Sequence, residues 1–337
     1  MNSRERVIRA IERSGPDRLP LTHATLPGAF VRYGPMLDDL YRRYPSDVHN
    51  VGGATSGEYG TRIGVPSRDT WGSLWVRHTD EHKGQVVHCP LADWDALATF
   101  EPPDTSSEAI IAEVEGRLNA NAGRLYTMAD GDTLWQRMFY LHGYQATLED
   151  LLLYPERCAA LREMILSVMI RRVERLCQLP ALDGIHYRDD WGTQQALMIR
   201  PELWRTFFKP AYARLFGLAR DAGKHVWFHS DGAIAAIVPD LIEIGVQVLN
   251  PQVDAIGRER LAALCRGVVC IEADIDRQWV LPYGTPEDVR AAVRADVEAF
   301  GGPEGGYIGR GEMAGDVPWE NVVALLDEIT RCRTWQS

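Results

Sequence analysis

From Arg124 onward the chain alternates helical periods with short apolar runs, and several of these runs end on or beside ionisable residues. The runs are Arg124–Asp130 (RLYTMAD), Gly184–Asp190 (GIHYRDD), Val246–Asn250, Val268–Ala273, Tyr307–Gly309 and KHVWFHSDG over Lys224–Gly232. Within the last, His225 to His229 are aromatic, β-branched or histidine, with no turn former among them. Such a run reads as a strand buried on both faces. Short buried strands separated by helices, repeating every 25 to 35 residues or so, are the mark of parallel βα units. Two earlier strands, Arg18–His23 and Ser46–Val51, bring the number to about eight. The fold class expected is therefore α/β, a TIM (β/α)8 barrel, rather than an open doubly wound sheet. No GxGxxG follows the first strand and no GxxxxGK[ST] occurs, which counts against dinucleotide and P-loop binding.

The 337 residues are read as one domain, with an N-terminal helical extension and an insertion at about 52–103. Ser3 is a natural cap for a first helix over residues 3–14. The insertion is rich in Gly, Trp and His, and is expected to hold a β-hairpin. Its arms are Trp71–His78 and Gly84–His88, with Thr79–Lys83 as the turn. Helical segments are expected at Thr133–Leu176, broken near Gly143 and Pro155, at Arg200–Ala222 and at Ile234–Ile244. A formal charge of -11 argues against nucleic acid or an anionic membrane as the main partner. Six cysteines without a CxxC pair, and no apolar leader or long apolar run, lead to the expectation of reduced thiols, a cytoplasmic location and no membrane span.

In a barrel the strand C-termini share one mouth. In order they present His23, Asp130, Asp189 with Asp190, His229 with Asp231, Gln252 with Asp254, Glu272 with Asp274, and Glu312. So many carboxylates repel unless a cation intervenes. That cation is either a bound metal or an arginine such as Arg188, Arg277 or Arg310. His229 and Asp231, two apart on extended chain, face the same way. With Glu312 from the loop after the last strand they form a possible three-ligand N/O site with an open position, as in catalytic zinc centres. The plainer reading is a core histidine, a helix-capping aspartate and a solvated glutamate. Adjacent Asp189 and Asp190 point to opposite sides, so one enters the mouth while the other caps a turn or pairs with an arginine. His142 is either a pocket residue or a helix-packing one. The Trp71, Trp75, His78, His82 and His88 group reads better as hairpin surface than as a metal cluster, because its spacing matches no common site.

The segments RERVIRAIERSGPDRLPL, DDWGTQQALMIRPELWRTFFKPAYARLFGLARDAGKHVWFHSDGAIAAIVPDLIEIGVQVLNPQ, GTPEDVRAAV, GGYIGRGE and VPWENV resemble the uroporphyrinogen decarboxylase-like superfamily. The resemblance implies a TIM barrel. True porphyrinogen decarboxylases carry an arginine-rich RQAGR motif near the N-terminus; here LTHATLPGAF stands in its place. The resemblance is nearer the corrinoid- and zinc-dependent methyltransferases, which hold zinc through a His-x-Cys pair and a late cysteine. At those positions this chain has His229-Ser230-Asp231 and Glu312, so carboxylates replace both thiolates. A harder site of this kind suits an oxygen ligand better than a thiol.

What the resemblance implies is a methyltransferase moving a methyl group from a small methoxylated substrate to a corrinoid protein. Zn2+ or another divalent metal would sit on His229, Asp231 and Glu312. No DxHxxG motif occurs, so the corrinoid would belong to a partner protein. Homodimers are common in the family. Asp189 or Asp190, with Gln195 and His186, is expected to orient the substrate at the catalytic centre, with Tyr187 or His142 as the proton donor. His23, Gln195, Gln252 and Glu272 are expected to line the substrate. The alternative is a corrinoid-independent, metal-assisted lyase, decarboxylase or hydrolase of a small oxygenated substrate.

Overall fold

The computed structural model describes residues 1–52, 62–79 and 84–332. Eight strands form the barrel: β1 (Leu21–Thr25), β2 (Val48–Asn50), β3 (Tyr126–Asp130), β4 (Gly184–Arg188), β5 (His225–Ser230), β6 (Val248–Pro251), β7 (Cys270–Ala273) and β8 (Tyr307–Met313). Neighbours pair in parallel from β2 round to β8, and β8 returns to β1 in the register Leu21↔Gly309 to Thr25↔Met313. The TIM barrel expected from the repeat is the fold found. The β1–β2 seam has no ladder. A backbone bond from Asp47 N–H to the Leu21 carbonyl, 2.8 Å, closes it instead. The Asp47 carboxylate takes the Leu21 N–H at 2.9 Å and also receives Ser3, Arg6 and Arg18.

Strand alternation sorts the side chains. Tyr126, Met128, Trp227, Val248, Cys270 and Ile308 form an apolar cluster of their own, packed with Val7, Ala10 and Ile11 of the first helix. That helix, Ser3–Glu12, therefore plugs the N-terminal end of the barrel. Its cap is Asn2 rather than Ser3: the Asn2 side chain accepts the Glu5 N–H at 2.8 Å. Residues of opposite parity, such as Ile185, Tyr187, Val226 and Phe228, pack outward into the large core shared with the helices.

Differences from the sequence reading are local. The first strand runs two residues further than expected, so His23 is mid-strand and Thr25 ends it. The stretch Thr133–Leu176 is three helices, Trp135–His142, Tyr144–Leu153 and Pro155–Cys177, parted at Gly143 and Pro155. Residues 231–237, by contrast, are not helical, and the helix after β5 is only Val238–Glu243. Asp231 thus begins a loop, which leaves its side chain free for other partners. The insertion holds a three-stranded antiparallel sheet, Ser67–Arg68, Leu74–Val76 and Gln85–His88. Of the expected turn, residues 80–83 lie outside the described residues, His82 among them.

Buried Arg137 fastens the insertion to the barrel through Asp69 at 3.1 Å. His142 does the same: it bonds the Leu91 carbonyl at 2.7 Å and Asp150 at 2.9 Å, with its ring against Trp94. All six cysteines are free thiols. Among the described residues no helix is long and apolar enough to cross a membrane.

Candidate active site

The polar upper interior of the barrel follows from the strand sequences. On β5 the inward residues are His225, Trp227 and His229, so the imidazole of His229 stands above the apolar layer. Register places Arg188 of β4 and Asn250 of β6 on either side of it. His229 Nδ1 meets two acceptors, Asn250 Oδ1 at 2.6 Å and the Asn250 carbonyl at 3.1 Å. Only an Nδ1–H satisfies them, so the Nε2 lone pair faces the mouth. The Asn250 amide is oriented in turn by donating to the Glu272 carbonyl at 2.7 Å. Nε2 lies 3.5 Å from Asp190 Oδ1 and 3.7 Å from Asp231 Oδ1.

Asp190 and Asp231 are brought together by a glycine contact. Gly192, two residues after Asp190, rests backbone to backbone on Gly232, one after Asp231. Gly192 N–H donates to the Asp231 carbonyl at 3.2 Å, and Ala233 N–H to the Thr193 carbonyl at 2.8 Å. Asp231 N–H donates to Asp190 Oδ1 at 3.0 Å, and Gln136 holds Asp190 Oδ2 at 2.9 Å. The result is one imidazole nitrogen and two carboxylate oxygens, all within 4.8 Å of one another.

Glu312 sits behind this group, nearly fully buried. Arg277 bridges it to Asp231, with Nη2 2.6 Å from Asp231 Oδ1 and Nη1 3.2 Å from Glu312 Oε1. Arg310 lies deeper, paired with Asp274 at 2.5 Å, Glu272 at 3.3 Å and Glu312 at 3.4 Å. Burial, and then the neighbouring Asp274, push the Glu312 carboxyl above its usual value despite both arginines. Five carboxylates, Asp190, Asp231, Glu272, Asp274 and Glu312, thus face two guanidiniums here. The surplus negative charge favours a further cation.

The other expected site residues fall elsewhere. Tyr187 has outward parity on β4, packs on Phe216 and donates to the Leu215 carbonyl at 3.2 Å. Asp189 also turns outward and caps the helix Trp135–His142. It accepts the Leu134 and Gln136 N–H groups, both at 2.8 Å, the Thr133 hydroxyl, and the Tyr212 hydroxyl at 2.6 Å. Burial pushes its carboxyl up to about 6, against these four donors.

His186 faces inward in a second cluster, 3.5 Å from Asp130, which pairs with Arg188 at 3.0 Å. Burial lowers His186, and Arg188 ahead of His186 holds Asp130 well below the usual carboxylate range despite its burial. His23 Nε2 bonds the Tyr44 carbonyl at 2.6 Å beside the β1–β2 seam. Glu272 is buried under the mouth and takes the Thr22 hydroxyl at 2.5 Å.

Gln252 lines the mouth, and its partner is Gln194, not Gln195: the two amides exchange bonds of 2.9 and 3.2 Å. Gln195 lines a separate surface depression. The expected set omitted Gln194 and Arg277. Arg277 was named only as a possible neutralising charge; its place three residues after Asp274 on the β7 loop is what brings it to the mouth.

Above these groups opens a cavity of about 530 Å³. Its lining mixes polar residues, Gln194, Asp231, Gln252, Arg277, Gln278, Glu312 and Asp316, with apolar ones, Leu26, Leu281, Tyr283, Ala314 and Val317. A small molecule bearing one polar edge suits it.

Comparison with known proteins is consistent with this picture. The family model for uroporphyrinogen decarboxylase (URO-D) matches residues 78–332. No curated protein matches the sequence. Among solved structures, a methyltransferase from Methanosarcina mazei superposes with a TM-score of 0.71 at 13% identity, over 98% of this chain and 99% of that one. A 3-keto-D-glucoside 4-epimerase from E. coli gives a TM-score of 0.42 at 14% identity, over 74% of this chain and 96% of that one.

Proposed function

Because the chain belongs to the uroporphyrinogen decarboxylase family, we propose that it is an enzyme of the family's methyl-transferring kind. Its substrate is a small methoxylated compound, and the methyl acceptor is a corrinoid carried by a second protein. The observation that carries this reading is the convergence of His229 Nε2, Asp190 and Asp231, of which Asp231 lines the cavity. These donors fit a divalent ion such as Zn2+: the imidazole is in the tautomer that offers Nε2, and both carboxylates are about one-third exposed toward the mouth. Asp190 here takes the place first given to Glu312, whose Oε1 is held by Arg277 and Oε2 by Arg310.

When bound, the ion supplies Lewis-acid polarisation of a substrate oxygen. The chain's own residues do the rest. Asn250 fixes the His229 ring, Gln136 and the Asp231 amide fix Asp190, and the paired amides of Gln194 and Gln252 offer hydrogen bonds to the substrate's polar edge. Leu26, Leu281 and Val317 supply apolar lining for the rest of the substrate.

The metal-free protein is expected to take up one equivalent of Zn2+, measured by titration and elemental analysis. His229→Ala is expected to abolish that uptake. Asn250→Ala should weaken it by roughly 10–100-fold, the usual cost of losing a ligand's supporting hydrogen bond. The zinc-loaded enzyme, given methoxylated aromatics and free cob(I)alamin, is expected to methylate the cobalt, followed by its absorbance. Absence of divalent-ion uptake by both the wild-type protein and an Arg277→Met variant, which removes the guanidinium beside Asp231, would sink the reading.

A second reading is favoured by Arg277, a guanidinium already lodged between Asp231 and Glu312. It makes the site a lyase or decarboxylase needing no corrinoid. Decarboxylated or eliminated product released without cobalamin would select it.

A further inference from the structure

The metal reading gives Arg277 no part, and its position conflicts with that of a bound ion. The Asp231 oxygen it holds at 2.6 Å is the same atom that faces His229 Nε2 at 3.7 Å. That oxygen cannot serve a guanidinium and a dication equally, and two cations sharing one carboxylate oxygen repel each other. Arg277 has other partners close at hand. Glu312 Oε1 is 3.2 Å from Nη1 and Asp274 Oδ2 is 3.9 Å from Nε. Both of these carboxylates are buried, at 2% and 4% exposure, while the Arg277 side chain is 28% exposed along the cavity wall and has room to turn.

Resting on the metal reading above, we infer that Arg277 is an internal competitor for the metal site. With no ion bound it neutralises Asp231. When an ion binds, Arg277 gives up Asp231 and keeps Glu312 and Asp274, so Glu312 is the acceptor that makes release possible. The metal affinity measured is then the intrinsic affinity reduced by the work of moving Arg277.

The test is Zn2+ affinity, measured by competition with a chromophoric chelator and needing no turnover. Arg277→Met is expected to bind on the order of tenfold to a hundredfold more tightly than wild type. Glu312→Gln, which weakens the alternative acceptor, is expected to bind more weakly. Arg188→Met controls for loss of a positive charge alone, since Arg188 pairs with Asp130 rather than Asp231; it is expected to stay close to wild type.

Zinc uptake by Arg277→Met alone, with none by wild type, also supports the inference. Equal tightening in Arg277→Met and Arg188→Met overturns it, as does unchanged affinity in Arg277→Met or tighter binding in Glu312→Gln; each of these leaves the metal site standing. Absence of uptake by wild type and Arg277→Met together overturns both the inference and the metal reading. Circular dichroism checks that each variant is folded, and the opposed signs keep the test decisive if one variant is not.

Discussion

Gly232→Ala is expected to disable the site and cost about 3 kcal/mol or more of stability, since overpacking costs about 1–3 kcal/mol and left-handed backbone in a residue with a Cβ about 1–2 kcal/mol. Gly232 has φ +84°, where a Cβ is strained whatever the space around it. The new methyl carbon would also overlap the carbon, oxygen and Cα of Gly192. That neighbour is backbone and cannot rotate away. The contact joins the loop carrying Asp190 to the loop carrying Asp231, so relief of the clash moves the two carboxylates apart. Denaturant unfolding should show the loss of stability, and zinc titration the loss of affinity. Gly192→Ala tests the same contact from the other side, where its Cβ would stand 2.5 Å from the Ala233 nitrogen. Wild-type stability and affinity in both variants would show that the loops are not held by this contact.

Asp47→Ala is expected to be as damaging without touching the mouth. Asp47 is 1% exposed and takes the place of a ladder at the β1–β2 seam. It binds Arg6 at 2.8 Å, Arg18 at 2.7 Å and the Leu21 N–H at 2.9 Å. Removing one partner of a buried ion pair strands the others and costs about 3–5 kcal/mol. Burial alone would raise the Asp47 carboxyl, but bonds from Arg18 and Ser3 hold it below its usual value. A depressed folded pKa means that this stabilisation is present above the unfolded carboxylate's pKa and fades as pH falls through the lower, folded one. Acid titration of stability should therefore flatten in the variant relative to wild type, with the difference in slope confined to the acid side of the carboxylate range and the loss of stability greatest above it. A midpoint unchanged at neutral pH would mean the seam is held by its flanking strands instead.

Several of the decisive features were legible in the residues themselves. HVWFH could only be a strand buried on both faces, and period-two alternation then sent His229 inward beside Asp231's loop. The same alternation foretold that Asp189 and Asp190 would part company; which of them entered the mouth was open. Gly143 and Pro155 marked the helix breaks because one lacks a Cβ and the other an N–H. The helix expected from Ile234 failed in its first turn. There the chain is drawn off by tertiary bonds, Ala233 N–H to Thr193 and Gly232 N–H to Gln252, which local propensity does not register.

The order of strands and helices, the inward parity of His186, His229 and Glu272, and the acidic surplus at the mouth were determined by the sequence alone, because periodicity and charge are local properties of a chain. Tertiary structure decided the partnerships. Asp190 rather than Glu312 stands beside His229 and Asp231, because Gly192 and Gly232 bring two loops into backbone contact. Gln194 rather than Gln195 reaches Gln252, and Arg277 lies between Asp231 and Glu312. Each of these depends on residues about 35 to 60 positions apart meeting across neighbouring or next-but-one βα loops, and only closure of the barrel sets that distance.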